Sequence, residues 1–344
     1  MFSVDSTIIE LDKLLEKGTG YVPDEYDPRD FAGEAFLGAA PVSFPDSFLI
    51  DVPFVTHQGG IPSCTAHAVT TMKWGQEGVR LSPRFNFAWT KFHDGYKGWG
   101  ATFHNAASVL EKHGAIEEEL YPDEIHLPES EYTNVDRIPA ELNEKAKSHR
   151  SKAYVRLDRT KENIMRALMD FNSPVMVGAE WYQSYNRIGA DGMLPDMVGS
   201  SAGHAFVAIG WRTVDGKWML ICQNSFGKYW GSNGRFYVTE ENLMRLYTGI
   251  YATIDLTKEE AEKIDTEYKK TLNKPMIDLK KLAADKKTLI FDADAGVFYL
   301  NTGDKLLQIS KERAAEAALM ALTRAGFGLG VKTDYLKDLT IEQF

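Results

Sequence analysis

A cysteine and a glutamine in one short segment have the types and setting that nucleophilic catalysis needs. Cys64 stands where the loop HQGGIPS gives way to the helix-like run CTAHAVTTMKW. A thiol at a helix N-terminus is biased toward the reactive thiolate, above all when a histidine lies near it. Gln58, six residues earlier, carries an amide N–H that can stabilise an oxyanion together with the Cys64 backbone N–H.

Two further residues complete this chemistry from far along the chain. His204 begins the apolar run HAFVAIGWR, and Asn224 follows the next apolar run, KWMLICQ. The DG pair in TVDGKW predicts a hairpin turn, which would bring the two residues together. A histidine can activate the thiol and protonate a leaving amine, and an asparagine can hold its imidazole in one tautomer. The four residues predict acyl chemistry through a cysteine nucleophile.

The elements that must position these residues fall into a helical half and a strand-rich half. Residues 1–18 predict an amphipathic helix that ends at Gly18, and residues 19–50 an extended arm rich in Pro, Gly and Asp. A strand is expected in DVPFVTHQ and an exposed acidic loop over residues 115–150. Helices are expected in SCTAHAVTTMKWGQEG, LSPRFNFAWTKFHDGY, FHNAASVLEKHG and KENIMRALMDF, and later strands in SPVMVGAEW, HAFVAIGWR, KWMLICQNSF and GRFYVTE. This order predicts an α+β fold.

The C-terminal part of the chain has a different character. A charged helix or linker is expected in LTKEEAEKIDTEYKKTLNK, then a hairpin in TLIFDADAGVFYLN and a helix in KERAAEAALMALTRAG. The predicted organisation is therefore a helix and arm over residues 1–50, a main domain over residues 51–256 and a small α+β module over residues 257–344.

Composition excludes several classes of function. The net charge of −10 argues against nonspecific binding to nucleic acid or to anionic membrane. Two cysteines do not make a disulfide framework, and neither a signal peptide nor an apolar run long enough to span a bilayer is present. Cys64 and His67 form a C-x-x-H pair, but further ligands at zinc spacing are missing, so we expect neither a metal nor a cofactor. These features favour a cytoplasmic or virion-associated protein.

Four motifs in order resemble the papain-like cysteine peptidases. That family carries Q-G-x-C-G-S-C-W, a later H-A strand and N-S-W-G-x-x-W-G, and this chain has QGGIPSCT, HA and NSFGKYWG. LSPRFNF resembles the family's L-S-P-Q segment, and HGAIEEELYP resembles the segment of that family that ends in Y-P. The arm GYVPDEYDPRD is similar to one that precedes the catalytic domain in prokaryotic members. The likeness covers roughly residues 20–255.

The resemblance implies a fold and a role for each matched residue. It implies a two-lobed fold with a helical N-terminal half and an antiparallel, β-barrel-like C-terminal half. Cys64 would be the nucleophile, His204 the acid and base, Asn224 the group that orients the imidazole, and Gln58 an oxyanion donor. The residues expected to bind substrate are Gly98, Trp99, Gly100, Gly178, Ala202 and Gly203, and those expected to cover the His–Asn pair are Phe226 and Trp230.

The sequence also departs from the family at four positions. Ile61 replaces a cysteine that normally forms a disulfide, which agrees with a reducing compartment. Pro62 replaces a glycine, Thr65 the tryptophan after the nucleophile, and Phe226 the tryptophan that shields the His–Asn hydrogen bond. None of these changes removes a reacting group.

Two functions of different classes stay open at this point. The first is a cysteine endopeptidase that acts on a peptide or protein substrate, with acyl transfer as a variant of the same thioester chemistry. The second is a structural or binding component of a larger assembly, such as a viral particle or tail, docked through the arm and residues 257–344, because a fold does not guarantee an activity.

Overall fold

The structure, a computed structural model, describes residues 4–25, 27, 30–38, 43–254, 258–272, 288–292, 297–301, 306–309 and 341–343. The chain divides into two compact units, Met1–Tyr268 and Lys269–Phe344. The three-part division expected from the sequence stays a prediction.

The described part of the chain contains α-helices whose bounds follow, and two of them show clear capping residues. They are α1 (Val4–Lys17), α2 (Cys64–Glu77), α3 (Pro83–His93), α4 (Phe103–Lys112), α5 (Glu129–Tyr132), α6 (Ala140–Ala146), α7 (Lys161–Asp170), α8 (Glu240–Leu246) and α9 (Lys258–Leu272). The Ser82 hydroxyl accepts from the Phe85 N–H before α3, with Pro83 at the first helical position, as the sequence predicts. Helix α2 ends at Gly78, whose φ of 72° suits glycine.

An eight-stranded sheet occupies the second half of the first unit. Its strands are β1 (Phe31–Ala32), β2 (Ser47–Leu49), β3 (Ala153–Arg156), β4 (Val175–Tyr182), β5 (Ser201–Val214), β6 (Lys217–Gln223), β7 (Arg235–Thr239) and β8 (Tyr247–Ile254). The order is β1-β3-β8-β4-β5-β6-β7, with β2 paired to β5, and every pairing is antiparallel except β1 with β3. The sheet is open rather than closed into a barrel. The predicted α+β, papain-like fold class is confirmed.

The β5–β6 hairpin is formed at the predicted turn. Asp215 and Gly216 have φ values of 52° and 72°, which are the positive values that a tight two-residue hairpin turn requires. The register pairs Val207 with Gln223. As a result the residue that follows β6 lies beside the start of the apolar part of β5.

Helix α2 lies against strand β5 and joins the helical half to the sheet. Cys64, Ala68, Val69 and Met72 on α2 are buried in the main hydrophobic core together with Ala205 on β5. Burial of this apolar interface fixes the start of α2 relative to the start of β5.

Two local predictions were wrong. The segment DVPFVTHQ forms no regular strand, because its backbone pairs instead with the loop after β6: Gln58 N donates to Ser225 O, and Gly227 N donates to Thr56 O, both at 2.9 Å. Residues 115–150 are not a plain exposed loop but contain α5, α6 and short 3-10 turns. Tyr132 in this region is fully buried against Phe87, an anchor that the acidic composition concealed.

The second unit contains a four-stranded sheet of its own. Its strands are β9 (Thr288–Asp292), β10 (Val297–Asn301), β11 (Leu306–Ile309) and β12 (Ile341–Gln343), in the order β11-β10-β9-β12. The antiparallel pairing of β9 with β10 confirms the predicted hairpin. The helix expected in KERAAEAALMALTRAG lies outside the described residues. Within the described part of the chain, no helix is long and apolar enough to cross a membrane.

Candidate active site

Cys64 is the first residue of α2 and is completely buried. The amide N–H of Ala205 donates to its Sγ at 3.3 Å. Because Ala205 follows His204 on β5, this contact brings the helix N-terminus and the strand together across 141 positions of sequence. The thiol therefore lies at the junction of the two halves of the fold.

His204 and Asn224 meet as the hairpin predicts. The Nε2 of His204 lies 2.7 Å from Asn224 Oδ1, which also accepts from the Ser225 N–H at 2.8 Å. Since Oδ1 can only accept, the proton of this hydrogen bond is on Nε2, which leaves Nδ1 of a neutral imidazole as a base. That Nδ1 is buried and has no hydrogen-bond partner.

Three aromatic rings enclose this pair. Phe226 stacks on the His204 ring with centroids 4.7 Å apart, and Trp230 contacts Phe226 edge-on at 5.4 Å. Trp181 on β4 lies 4.7 Å from the His204 ring on another side. The sequence places Trp181 in a predicted strand, but only the pairing of β4 with β5 reveals that it reaches the imidazole.

The side-chain amide of Gln58 forms hydrogen bonds through both its oxygen and its nitrogen. Its Oε1 accepts from the Ser225 hydroxyl at 2.7 Å. Its Nε2 donates to the carbonyl oxygens of Thr19 at 2.8 Å and of Ile61 at 3.0 Å. Ser225 is thus a positioning residue that the sequence reasoning did not single out, although it stands next to Asn224.

Burial opposes charge on both Cys64 and His204. It raises the pKa of the Cys64 thiol to about 12, although hydrogen bonds from Ala205 and Thr19 act in the opposite direction. It lowers the pKa of His204 to about 4, with the Asn224 hydrogen bond opposing the shift. The site as described therefore favours a neutral thiol and a neutral imidazole rather than the thiolate expected from the helix N-terminus.

The cause of this burial is the arm after α1. The Thr19 hydroxyl donates to the Gly203 carbonyl and is a hydrogen-bonding partner of Cys64. Ala101 N donates to Gly20 O and Val22 N donates to Ala101 O, both at 2.9 Å, so that the arm pairs in parallel with the loop before α4. Residues 19–22 fill the cleft between Cys64 and that loop.

Tyr21 occupies a pocket that is lined by three glycines. Its ring lies 4.9 Å from the Phe103 ring, and the residue is 4% exposed. A Cβ built on Gly178 would lie 2.2 Å from Tyr21 Cζ, and one on Gly249 would lie 2.8 Å from the tyrosine hydroxyl. A Cβ on Gly203 would lie 2.2 Å from the Tyr21 carbonyl oxygen. The pocket exists because side chains are missing at these three positions.

Two acidic residues attach the arm and α1 to the rest of the first unit. The Asp24 carboxylate accepts from the backbone N–H groups of Phe103 at 3.1 Å and His104 at 2.7 Å, which are free donors in the first turn of α4. Asp12 on α1 pairs with Arg187 at 2.5 Å and accepts from Asn186 at 3.0 Å. Side-chain contacts therefore fix the chain both before Tyr21, at Asp12, and after it, at Asp24.

The expected substrate-binding residues are not equally close to the arm. A Cβ on Gly100 would lie 2.3 Å from Gly20 O, so that Gly100 is in close contact with the arm, as Gly178 and Gly203 are. Trp99 is half-exposed and has the Lys17 ammonium 5.9 Å from its ring centroid, and Gly98 presents its carbonyl to Lys91. Ala202 is paired with Trp181 in the sheet.

His67 lies close to the acidic side chain of Asp123. Its Nε2 is 3.5 Å from Asp123 Oδ2, and both side chains are buried. Among the described residues, no three His, Cys, Asp or Glu side chains are grouped in a way that could hold a metal ion.

A buried lysine shapes the loop that the arm contacts. The Lys91 ammonium donates to the carbonyls of Lys97 at 2.8 Å, Gly98 at 3.3 Å and Gly100 at 3.0 Å, and pairs with Asp94 at 2.9 Å. Its side chain is 2% exposed. A lysine in an amphipathic helix gives no sign of this role in the sequence, because the carbonyls it binds belong to the turn that follows.

We predict that Lys91→Met destabilises the protein. The substitution keeps an unbranched side chain of nearly the same length but leaves three carbonyls and the Asp94 carboxylate without their donor, which should lower the free energy of unfolding by about 1–3 kcal/mol. Urea denaturation measures the change. Lys97→Met, at an exposed lysine of the same loop, is the control, and an equal effect of the two substitutions would contradict the role of Lys91.

Comparisons with known proteins agree with this geometry. The pattern of the papain family cysteine proteases matches residues 90–254, a span that includes His204 and Asn224 and begins after Cys64. No curated protein matches the sequence at a significant level.

Solved structures of cysteine proteases share the fold. Xylellain, a cysteine protease from Xylella fastidiosa, is 21% identical, with a TM-score of 0.58 over 70% of this chain and 97% of its own. The ragweed pollen allergen Amb a 11, a cysteine protease in its proform, is 18% identical, with a TM-score of 0.54 over 73% of this chain and 78% of its own. Procathepsin B S9 from Trypanosoma congolense is 17% identical, with a TM-score of 0.52 over 73% of this chain and 89% of its own. By its family match over residues 90–254 and by its fold, the chain is similar to the papain family cysteine proteases.

Proposed function

We propose that this chain hydrolyses peptide bonds through a thioester on Cys64 and that its own arm keeps the enzyme latent. One observation carries the proposal: the Thr19 carbonyl oxygen accepts from Gln58 Nε2 at 2.8 Å, next to the thiol. A peptide carbonyl thus already occupies the place where an attacked carbonyl would need its oxyanion donor.

The reaction follows from the positions of the four groups. Once the arm leaves, His204 takes the thiol proton at Nδ1, and the thiolate adds to the substrate carbonyl carbon. Gln58 stabilises the oxyanion; the C–N bond then breaks as His204 returns its proton to the leaving amine. Water, deprotonated by His204, attacks the thioester, and the acid product and free thiol separate. Asn224 holds the imidazole in the required tautomer throughout.

Latency follows from the same contacts. The arm excludes water from Cys64 and His204, and the low polarity that results favours their neutral forms. Release of the arm restores hydration, which allows a thiolate–imidazolium pair to form. Two of the similar structures are named as proforms, which supports a latent resting state for this chain as well.

We predict that Tyr21→Ala in the full chain activates the enzyme. Loss of the buried ring weakens the docking of the arm, so that hydrolysis of fluorogenic peptides should rise at least about tenfold. Adding Cys64→Ala should then lower the rate by on the order of 10³-fold or more. Cys222→Ala, at the other buried cysteine, is the matched control and should keep the activity. Activity that survives Cys64→Ala would refute the mechanism.

We predict a change in the pH dependence of alkylation when the arm is loosened. Because burial raises the pKa of Cys64 to about 12, its reaction with iodoacetamide in the unsubstituted chain should be slow at pH 7 and keep rising with pH beyond pH 9. In Tyr21→Ala, formation of the ion pair should give fast alkylation near neutral pH. Mass spectrometry of the labelled peptide measures both rates, and identical profiles would contradict control by the arm.

We predict that the pocket now filled by Tyr21 selects an aromatic side chain in the substrate. Peptides with tyrosine at the selected position should exceed those with leucine in kcat/KM. Gly249→Ala should reduce this preference, since its Cβ would lie 2.8 Å from a bound phenol oxygen. Gly38→Ala, whose Cβ would meet only ordinary contacts, is the control. A preference that is unchanged in Gly249→Ala would show that another pocket selects the side chain.

A further inference from the structure

His67 is a buried titratable residue that the mechanism above does not use. It lies on α2 one turn after Cys64, and its side chain is 1% exposed. Its Nε2 faces Asp123, while its Nδ1 is buried and has no hydrogen-bond partner in the structure. A buried polar nitrogen without a partner is costly, so that this atom calls for an explanation.

A small cavity is lined by His67 and by Asn224, the residue that contacts His204. Its volume is about 10 Å³, close to the minimum of about 10 Å³ that one water molecule requires. Residues of α2 line one side of the cavity, and Gln223 and Asn224, at the end of β6, line another. The cavity therefore connects the helix that carries the nucleophile to the residue that orients the imidazole.

Four buried polar atoms without hydrogen-bond partners belong to residues that line this one cavity. One of them, His67 Nε2, faces the Asp123 carboxylate at 3.5 Å, and the other three are His67 Nδ1, Gln223 Oε1 and Asn224 Nδ2. The orientation of each amide is fixed by its other contacts. Asn224 Oδ1 already accepts from His204 and Ser225, which leaves Nδ2 as a donor, and Gln223 Nε2 donates to Phe54 O at 2.7 Å, which leaves Oε1 as an acceptor.

The three atoms other than His67 Nε2 together match the hydrogen-bonding capacity of one water molecule. Such a water accepts from Asn224 Nδ2–H and donates its two hydrogens to Gln223 Oε1 and His67 Nδ1. This arrangement requires His67 to carry its proton on Nε2, toward the Asp123 carboxylate, with a neutral ring. Burial lowers the pKa of His67 to about 3, in agreement with a neutral ring.

We propose that the cavity is a buried water site and that His67, acting through this water, is a positioning residue for Asn224 and hence for the His204 imidazole. The proposal rests on the proposed function for its kinetic consequence but not for the water itself. With the water in place, both polar atoms of the Asn224 side chain, Oδ1 and Nδ2, have hydrogen-bond partners, which hold the amide plane that presents Oδ1 to His204.

The first test is a crystal structure of the full chain at a resolution that shows ordered water. We expect one water within hydrogen-bonding distance of His67 Nδ1, Gln223 Oε1 and Asn224 Nδ2. A dry cavity, or a His67 Nδ1 bonded directly to a protein atom, would overturn the proposal. This result does not depend on whether the protein cleaves peptides.

The second test separates positioning from stability in the Tyr21→Ala background. His67→Phe keeps an aromatic ring but removes the nitrogen, and should lower kcat by about three- to tenfold with KM unchanged. His67→Gln, which can again accept from the water, should restore most of kcat. Leu110→Met, a buried substitution on α4 away from the cavity, is the control for packing and should leave kcat unchanged.

The kinetic test separates failure of the positioning role of His67 from failure of the proposed function. Equal kcat values for His67→Phe and the parent, or no recovery in His67→Gln when both variants fold, would refute the positioning role. If the Tyr21→Ala parent itself cleaves no peptide, the proposed function fails, and the electron density in the cavity alone decides whether the water site exists.

Discussion

The contact between the start of α2 and the start of β5 is the constraint on which the rest of the site depends. The Ala205 N–H reaches Cys64 Sγ at 3.3 Å, and the apolar faces of the helix and the strand are buried around this contact. A small shift of the helix along the strand would separate the thiol from His204, since a catalytic geometry tolerates errors of only about 0.5 Å. The hydrophobic core therefore does more than stabilise the fold, because it sets the distance between two groups that come from opposite halves of the chain.

The arm covers this junction between α2 and β5 and excludes water from Cys64 and His204. Thr19, Gly20 and Tyr21 replace water with a carbonyl, a backbone and a ring, and each finds a partner that a peptide substrate could also use. The same N-terminus of α2 that would stabilise a thiolate in water cannot overcome the loss of hydration. In the mechanism proposed above, occupation of the cleft controls both access to Cys64 and the charge states of Cys64 and His204.

The sequence predicted the parts of this site that depend on local pattern and order along the chain. Cys64 at a helix start, the Asp215–Gly216 turn and Asn224 after β6 follow from turn and cap chemistry, and the hairpin then brings His204 to Asn224. Trp181, Lys91 and the ring of Tyr21 could not be placed in this way. Trp181 reaches His204 because β4 pairs with β5, and Lys91 binds the carbonyls of the turn that follows its helix. The ring of Tyr21 fits because three nearby glycines have no side chains. All three are properties of tertiary structure. The acidic composition of residues 115–150 was misleading for a similar reason, because Tyr132 packs on a helix far from it in sequence.

The substitution of phenylalanine for the expected tryptophan at Phe226 is compensated from the sheet. Phe226 stacks on His204 over one face, while Trp181 lies 4.7 Å from the same ring and also contacts Phe226 and Trp230. A larger aromatic surface on β4 thus covers what a smaller ring after Asn224 leaves uncovered. Since exclusion of water strengthens the His204–Asn224 hydrogen bond, the shielding required for orientation is a property of the whole aromatic cluster, and a departure at one of its positions does not by itself weaken the site.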